Sequence, residues 1–96
     1  MAEPLDPSSV LEPTGSVALD LPFDVVVWDD PVTLMTVVTR ILMAVFGYPQ
    51  AKAHRLMLTV HHEGRAVVWS GSPERAEQYC VQLHARGLQA TVEPSR

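Results

Sequence analysis

The sequence predicts an α+β domain in which three helices pack on one face of a three-stranded sheet, in the element order βααβαβ. Three observations lead to this prediction. Two neighbouring segments carry apolar residues at a period near 3.6, which is typical of amphipathic helices. A valine-rich segment precedes them, and two more short strand-like segments flank a third helical one. Because each helix must bury an apolar stripe, layering the helices on one face of the sheet is the simplest arrangement.

The first strand is predicted at 23–28, because three consecutive valines and an aromatic residue favour extended structure. Alternate residues from Phe23 onward face the same side of the sheet. The Asp-Asp-Pro that follows ends the strand, and Thr33 is the predicted N-cap of the next helix. The two carboxylates, Asp29 and Asp30, could act as an acid–base pair or as half of a metal site, although such pairs more often form a turn.

The first helix is predicted over 34–46, and Gly47 supplies the left-handed residue that ends it. The second helix opens at Tyr48-Pro49, with proline in its first position, and Gly64 closes it. One side of this second helix carries four residues at helical spacing: Leu56, Met57, Val60 and His61. An apolar wall beside one titratable group resembles a small ligand pocket. The alternative is a core helix that ends in an exposed histidine.

A third helix and the two strands around it complete the predicted fold. The second strand is predicted at 65–70, and Ser72 followed by Pro73 gives the third helix a capped start. That helix runs to about Arg86, and the third strand follows at 88–93. A strand–helix–strand unit of this kind favours a parallel, right-handed arrangement of its two strands.

The net charge of the chain comes from a segment outside the predicted domain. Residues 1–22 hold four acidic residues, four prolines and no lysine or arginine, which predicts a disordered tail that is either inert or gripped by another protein. The predicted domain, residues 23–96, holds seven basic and seven acidic residues. A neutral domain argues against nucleic acid as a partner. No apolar run reaches the roughly 20 residues that span a bilayer, and no secretory signal is recognisable, so a cytoplasmic protein is predicted.

The residue types that carry catalysis or bind metals do not form a recognisable set. The four histidines, His54, His61, His62 and His84, lack the spacing of a zinc protease, and the sequence has no glycine-rich phosphate loop. Cys80, the single cysteine, falls on the apolar stripe of the third helix, where a thiol is normally inert. The sequence therefore predicts a binding module without metal or cofactor rather than an enzyme.

Three segments together resemble one known family. They are Val-Val-Val-Trp-Asp-Asp-Pro-Val-Thr-Leu-Met at 25–35, Arg-Leu-Met-Leu-Thr-Val-His-His-Glu-Gly-Arg-Ala at 55–66, and Leu-Gln-Ala-Thr-Val-Glu at 88–93. In order and spacing they resemble the ClpS family, the adaptors of the bacterial ATP-dependent Clp protease, and the actinobacterial branch is the most similar. The resemblance covers residues 23–93, and the second segment is its most specific part.

The resemblance implies a monomeric adaptor that binds N-degrons, which are peptides or proteins with Leu, Phe, Tyr or Trp as their first residue. It further implies delivery of these substrates to the N-terminal domain of a Clp AAA+ unfoldase of the ClpC or ClpA type. By resemblance, the amine of the first residue would bind Asp29, Asp30 and His61. The pocket for its side chain would be formed by six residues: Thr33, Met35, Val38, Met57, Val60 and Leu88. Glu74 matches an acidic family position that contacts the unfoldase.

The sequence departs from the better-known members of the family in the amine-binding segment, where they carry Asn-Asp-Asp. An ungapped alignment puts Asp29, Asp30 and Pro31 at those positions, whereas a one-residue insertion puts Trp28 at the asparagine and keeps both aspartates. The alternative function is a structural protein–protein interaction module, because C-terminal domains of ribosomal stalk proteins have a related fold. That alternative predicts a closed helix face with no cavity beside His61.

Overall fold

The computed structural model describes residues 21–95, and it confirms the predicted order of three strands and three helices. The elements, in chain order, are β1 (Phe23–Trp28), α1 (Met35–Phe46), α2 (Gln50–Glu63), β2 (Arg65–Gly71), α3 (Pro73–Ala85) and β3 (Gln89–Pro94). The predicted tail falls outside the described residues except for Leu21 and Pro22. The carbonyl oxygen of Pro22 accepts a hydrogen bond of 3.0 Å from the Ser95 N–H, which joins the start of β1 to the end of β3.

The sheet has β1 at its centre, with β2 on one side and β3 on the other. Both outer strands are antiparallel to β1, so they run in the same direction as each other. The predicted parallel orientation of β2 and β3 is therefore right in direction, but the two strands do not pair because β1 lies between them. The helix that connects them, α3, must cross the central strand.

A bulge in β2 turns one aromatic side chain toward the helices. Val25 pairs with Trp69 and Val26 pairs with Val67, so Val68 is the extra residue of the pairing. As a result Val68 is 3% exposed, and the neighbouring Trp69 packs against the same core. The Trp69 ring lies 4.9 Å from the ring of Tyr79 in α3, measured between centroids. The strict alternation expected of a strand is broken at this point, and β2 is anchored to α3.

The core lies between β1 and the helix layer. Val25 and Val27 of β1 are at most 1% exposed, and they pack with Leu42 of α1 and Leu83 of α3, which are completely buried. The two valines lie on the same face of β1, as the alternation of side chains along a strand predicts. No helix within residues 21–95 is long and apolar enough to cross a membrane.

The opposite face of the sheet is covered by paired polar and aromatic side chains. The indole N–H of Trp28 donates to the Thr91 hydroxyl at 2.9 Å, and the guanidinium of Arg65 lies 4.7 Å from the centroid of the Trp28 ring. Arg65 also donates to the Glu93 carboxylate at 2.8 Å. These contacts link all three strands across the face that carries no helix, and they fix Trp28 there.

Two predicted helix starts differ from the structure by one residue. The N-cap of α1 is Leu34 rather than Thr33, and no side chain caps this helix. The hydroxyl of Thr33 instead donates to the Asp30 carboxylate at 3.4 Å, within the turn that precedes the helix. In α2, Pro49 is the N-cap rather than the first helical residue. The predicted start of α3 is confirmed, since the Ser72 hydroxyl accepts from a backbone N–H at 3.4 Å.

Both predicted glycine terminators are confirmed. Gly47 at the end of α1 has a φ of 72°, and Gly64 at the end of α2 has a φ of 89°. Both values lie in the left-handed region, which glycine adopts without a steric penalty. Each glycine N–H donates to a carbonyl four residues earlier in its helix. These sharp ends fix the direction in which the chain leaves each helix, and the second of them borders the candidate site.

Candidate functional site

The candidate site lies where the loop 29–34 leaves β1 and passes the last turn of α2. The backbone N–H of Asp29 donates to the carbonyl oxygen of Gly64 at 3.0 Å. This bond ties the end of the central strand to the C-terminal end of α2. It therefore brings the two carboxylates of the loop beside His61, which lies in the last turn of that helix.

The Asp30 side chain stabilises a turn within the loop 29–34. One of its carboxylate oxygens accepts from the Val32 N–H at 2.9 Å, and the other accepts from the Thr33 hydroxyl at 3.4 Å. The Thr33 N–H also donates to the Asp30 carbonyl oxygen at 3.2 Å. A short carboxylate that bonds to the backbone two residues later is a common turn device. Of the roles that the sequence left open for this carboxylate pair, the geometry of Asp30 matches the turn.

Asp29 and His61 form an electron-rich rim next to this turn. Their closest atoms, Oδ1 of Asp29 and Nδ1 of His61, are 3.9 Å apart, and the side chains are 42% and 49% exposed. That separation is too long for a hydrogen bond, so both side chains keep acceptor capacity for a third group. The rim also lies at the C-terminal end of α2, which carries partial negative charge. Together these groups attract a cation that can donate several hydrogen bonds.

A hollow of about 380 Å³ opens beside the rim, between α1 and α2. Asp29, Asp30 and His61 border it, together with seven further residues: Pro31, Thr33, Leu34, Met35, Val38, Met57 and Val60. Three of the lining side chains belong to the buried core, and their exposed fractions are 8% for Val38, 5% for Met57 and 3% for Val60. Met35, in contrast, is 46% exposed. The volume is within the usual range for small-ligand pockets, about 300–1,000 Å³.

Eight of the nine residues predicted for the amine and side-chain sites line this hollow, and Leu88 is the exception. Leu88 is 4% exposed and belongs to the buried core, and its N–H donates to the Leu83 carbonyl at 3.0 Å. The exposed part of this residue borders a separate depression beside Trp28 and His84. Leu88 is therefore absent from the lining of the hollow in this structure, and its place in the side-chain pocket stays a prediction.

Two residues that line the hollow were missed by the sequence analysis, Pro31 and Leu34. The sequence placed Leu34 at the start of the first helix, yet its side chain is 69% exposed. The helix begins one residue later than predicted because the loop is held by the Asp30 turn, so Leu34 stays outside it. The sequence carried no direct signal for this exposure, because Pro31 restricts only the residue before it, Asp30.

The position of Trp28 bears on the two alignments of the amine-binding segment. Its side chain is held on the open face of the sheet, bonded to Thr91, and it does not border the hollow. Asp29, the next residue, does border it. Because adjacent strand residues point to opposite faces, this geometry favours the ungapped alignment, with Asp29 at the position of the family's asparagine.

The thiol of Cys80 is buried on the core side of α3. Burial raises the pKa of the Cys80 thiol above its ordinary value, and the nearby Glu77 raises this pKa further. A thiol in this state is a poor nucleophile. Within residues 21–95, no group of three or more His, Cys, Asp or Glu side chains is arranged to hold a metal ion. The chemistry that the site offers is recognition of a cation next to an apolar group.

Comparisons with known proteins agree on one family. A family model described as "ATP-dependent Clp protease adaptor protein ClpS" matches residues 19–91. The chain is 55% identical over 76 residues to the ClpS adapter protein of Nocardia farcinica, covering 79% of this chain and 72% of that one. It is 47% identical over 95 residues to the ClpS adapter protein of Mycobacterium marinum, covering 97% and 94%. The solved structure of Agrobacterium tumefaciens ClpS2 bound to L-phenylalaninamide matches with a TM-score of 0.70 at 28% identity, covering 79% of this chain and 99% of that one.

Proposed function

This chain belongs to the ClpS family of ATP-dependent Clp protease adaptors, and we propose that it selects proteins by their first residue and hands them to a Clp unfoldase. The substrates are N-degrons that begin with Leu, Phe, Tyr or Trp. The single observation that carries this proposal is the apolar hollow with Asp29 and His61 together at its rim.

The rim is the proposed site for the free amine of the substrate. A protonated α-amine has three N–H donors and one positive charge. Asp29 offers a carboxylate, and His61 in its neutral form offers a ring nitrogen, 3.9 Å from that carboxylate and therefore close enough to share one ammonium group. Hydrogen bonds of this kind contribute about 1.5–3 kcal/mol each. Asp30 supports the amine site indirectly, because its oxygens already hold the loop.

The hollow is the proposed site for the first side chain. Thr33, Met35, Val38, Met57 and Val60 line it, and transfer of a leucine or aromatic side chain into such a site contributes roughly 2–3 kcal/mol. After the costs of association, a micromolar or somewhat tighter dissociation constant is expected. The similar protein ClpS2 supports this reading, since its ligand L-phenylalaninamide has a free amine next to a bulky apolar side chain.

A panel of peptides that differ only at the first residue tests this proposal. Peptides that begin with Phe, Leu, Tyr or Trp are expected to bind with micromolar dissociation constants by fluorescence anisotropy. The same peptide beginning with Ala or Asp is expected to bind at least about tenfold more weakly, because the hollow stays unfilled or receives a charge. Equal affinity across the panel contradicts recognition of the first residue.

Delivery is the second half of the proposed function. The chain acts as a monomer in the cytoplasm and docks on the N-terminal domain of a ClpC- or ClpA-type unfoldase. Glu74 is the proposed contact, because it is exposed in the first turn of α3 and matches an acidic position of the family. This helix lies apart from the hollow, whose lining residues all belong to the loop 29–34, α1 and α2. Substrate and unfoldase can therefore bind at the same time.

Glu74→Lys is expected to weaken binding to the unfoldase N-terminal domain by at least about fivefold, since an exposed ion pair is lost and a repulsive charge replaces it. Affinity for a Phe-first peptide should be unchanged. Gln82→Lys is the control, because it adds a cation to an exposed position two turns further along α3. If both variants lose the same affinity for the unfoldase domain, or if neither loses any, Glu74 does not contact that domain.

The alternative, a structural interaction module of the ribosomal stalk type, is less well supported. It predicts a closed helix face beside His61, whereas a hollow of about 380 Å³ is found there. A closed face would also leave the exposed pair of Asp29 and His61 without a ligand to recognise.

A further inference from the structure

A second and larger cavity adjoins the hollow. It is a groove of about 700 Å³ between α1 and α2, and it shares Met35 and Met57 with the hollow. From these shared side chains it extends along the helix pair to Met43 on α1 and Gln50 on α2. The hollow and the groove are therefore continuous past these two methionines, so a chain bound in the hollow can extend into the groove.

The groove carries one formal positive charge, that of Arg40, beside its apolar lining. Arg40 and His54 line it, and both are exposed. The whole segment 31–62 contains three lysine or arginine residues and no aspartate or glutamate. The ion pairs among the described residues join other side chains, so within residues 21–95 Arg40 has no carboxylate partner. An acidic occupant would complement this charge.

The order of features along α2 gives the occupant a direction. His61, at the rim, is the nearest of these residues to the C-terminal end of α2, and Met57 lies one turn before it at the hollow. His54 and Gln50 lie closer to the N-terminal end of the helix, in the groove. With the amine held at the rim and the first side chain in the hollow, the substrate can continue toward the groove. Arg40 lies five residues after Met35, about 7.5 Å along α1, and an extended chain advances about 3.3 Å per residue.

We infer that the groove holds the residues that follow the first one in the same substrate, and that Arg40 makes this chain prefer Asp or Glu within positions two to five. This inference rests on the proposed function, since the peptide reaches the groove only if its first residue occupies the hollow. The methionines of the groove are flexible and tolerate many side chains. Selectivity therefore comes from the charge of Arg40, which lines the groove.

The test uses the full chain and peptides that begin with Phe and carry a single Glu or a single Lys at each of positions two to five in turn. At one or more positions the Glu peptide is expected to bind about two- to fivefold more tightly than the Lys peptide, which is the range for an exposed ion pair. The preference should shrink at high salt. Arg40→Glu is expected to reverse it. Arg55→Glu is the matched control, because Arg55 is exposed on α2 but does not line the groove.

Each other outcome overturns the inference in a distinguishable way. If Phe-first peptides bind but Glu and Lys are equivalent at every position, the groove is not used and the proposed function stands. If Arg55→Glu reverses the preference as fully as Arg40→Glu, the effect is diffuse charge rather than the groove. If Arg40→Glu converts a dimer to a monomer in gel filtration, the occupant is a second copy. If no Phe-first peptide binds, the proposed function fails as well.

Discussion

Acetylating the N-terminus of a Phe-first peptide is expected to lower its affinity for this protein by about 100-fold. The acetyl group removes the positive charge and two of the three donors, so the bonds to Asp29 and His61 at the rim are lost. Two charge-assisted hydrogen bonds at the low end of their range, about 1.5 kcal/mol each, account for a factor of this size. Because both side chains are about half exposed, the high end of that range is not expected.

A double-mutant cycle assigns this effect to the rim. Asp29→Ala should lower the affinity of the free peptide by at least about tenfold and should make acetylation much less costly. Asp24→Ala is the control, because this carboxylate belongs to β1, the strand that precedes the loop of Asp29, but bonds to the hydroxyls of Ser70 and Ser95 away from the hollow. Equal binding of free and acetylated peptides would contradict amine recognition altogether. If acetylation lowers the affinity for Asp29→Ala as much as for the unchanged protein, the amine binds at another site.

Leu42→Ala is expected to have the largest effect on stability. Leu42 is completely buried in the core cluster, in the helix that forms one wall of the hollow. Truncating a buried leucine to alanine costs the transfer free energy of its two methyl groups and the carbon that bears them, and it leaves a cavity; together these cost about 3 kcal/mol. For a domain of this size, the midpoint of thermal unfolding should fall by roughly 12–24 °C.

The control for that measurement is Val81→Ala. Val81 lies on α3 and is 64% exposed, so its truncation should change the free energy of unfolding by no more than about 0.5 kcal/mol. Unfolding in urea, followed by circular dichroism, measures both variants. A loss below about 1 kcal/mol for Leu42→Ala would mean that the core repacks around the change, and that α1 is held more loosely than its burial indicates.

Local sequence signals were sufficient for the elements, whereas most residues of the hollow were predicted only from the resemblance to the ClpS family. The valine run of β1, the glycines that end α1 and α2, and the Ser-Pro start of α3 depend on neighbours in the chain, so their effects are readable without the fold. The spacing of Met57, Val60 and His61 likewise predicted one shared helix side, because the helical period fixes which side chains are neighbours. The roles of these residues in binding remain predictions.

The sequence by itself determined the order of the elements and the apolar faces, and its resemblance to the ClpS family implied the pairing of an acidic loop with a histidine at the end of a helix. Only the tertiary structure decided which residues share one opening. In the structure Leu88 is buried in the core, whereas Leu34 and Pro31 line the hollow. The carboxylate of Asp30 bonds within the loop, whereas that of Asp29 is exposed at the rim. The physical reason is that periodicity reports which face a side chain occupies, whereas an opening depends on how two helices and a loop pack against each other across the chain.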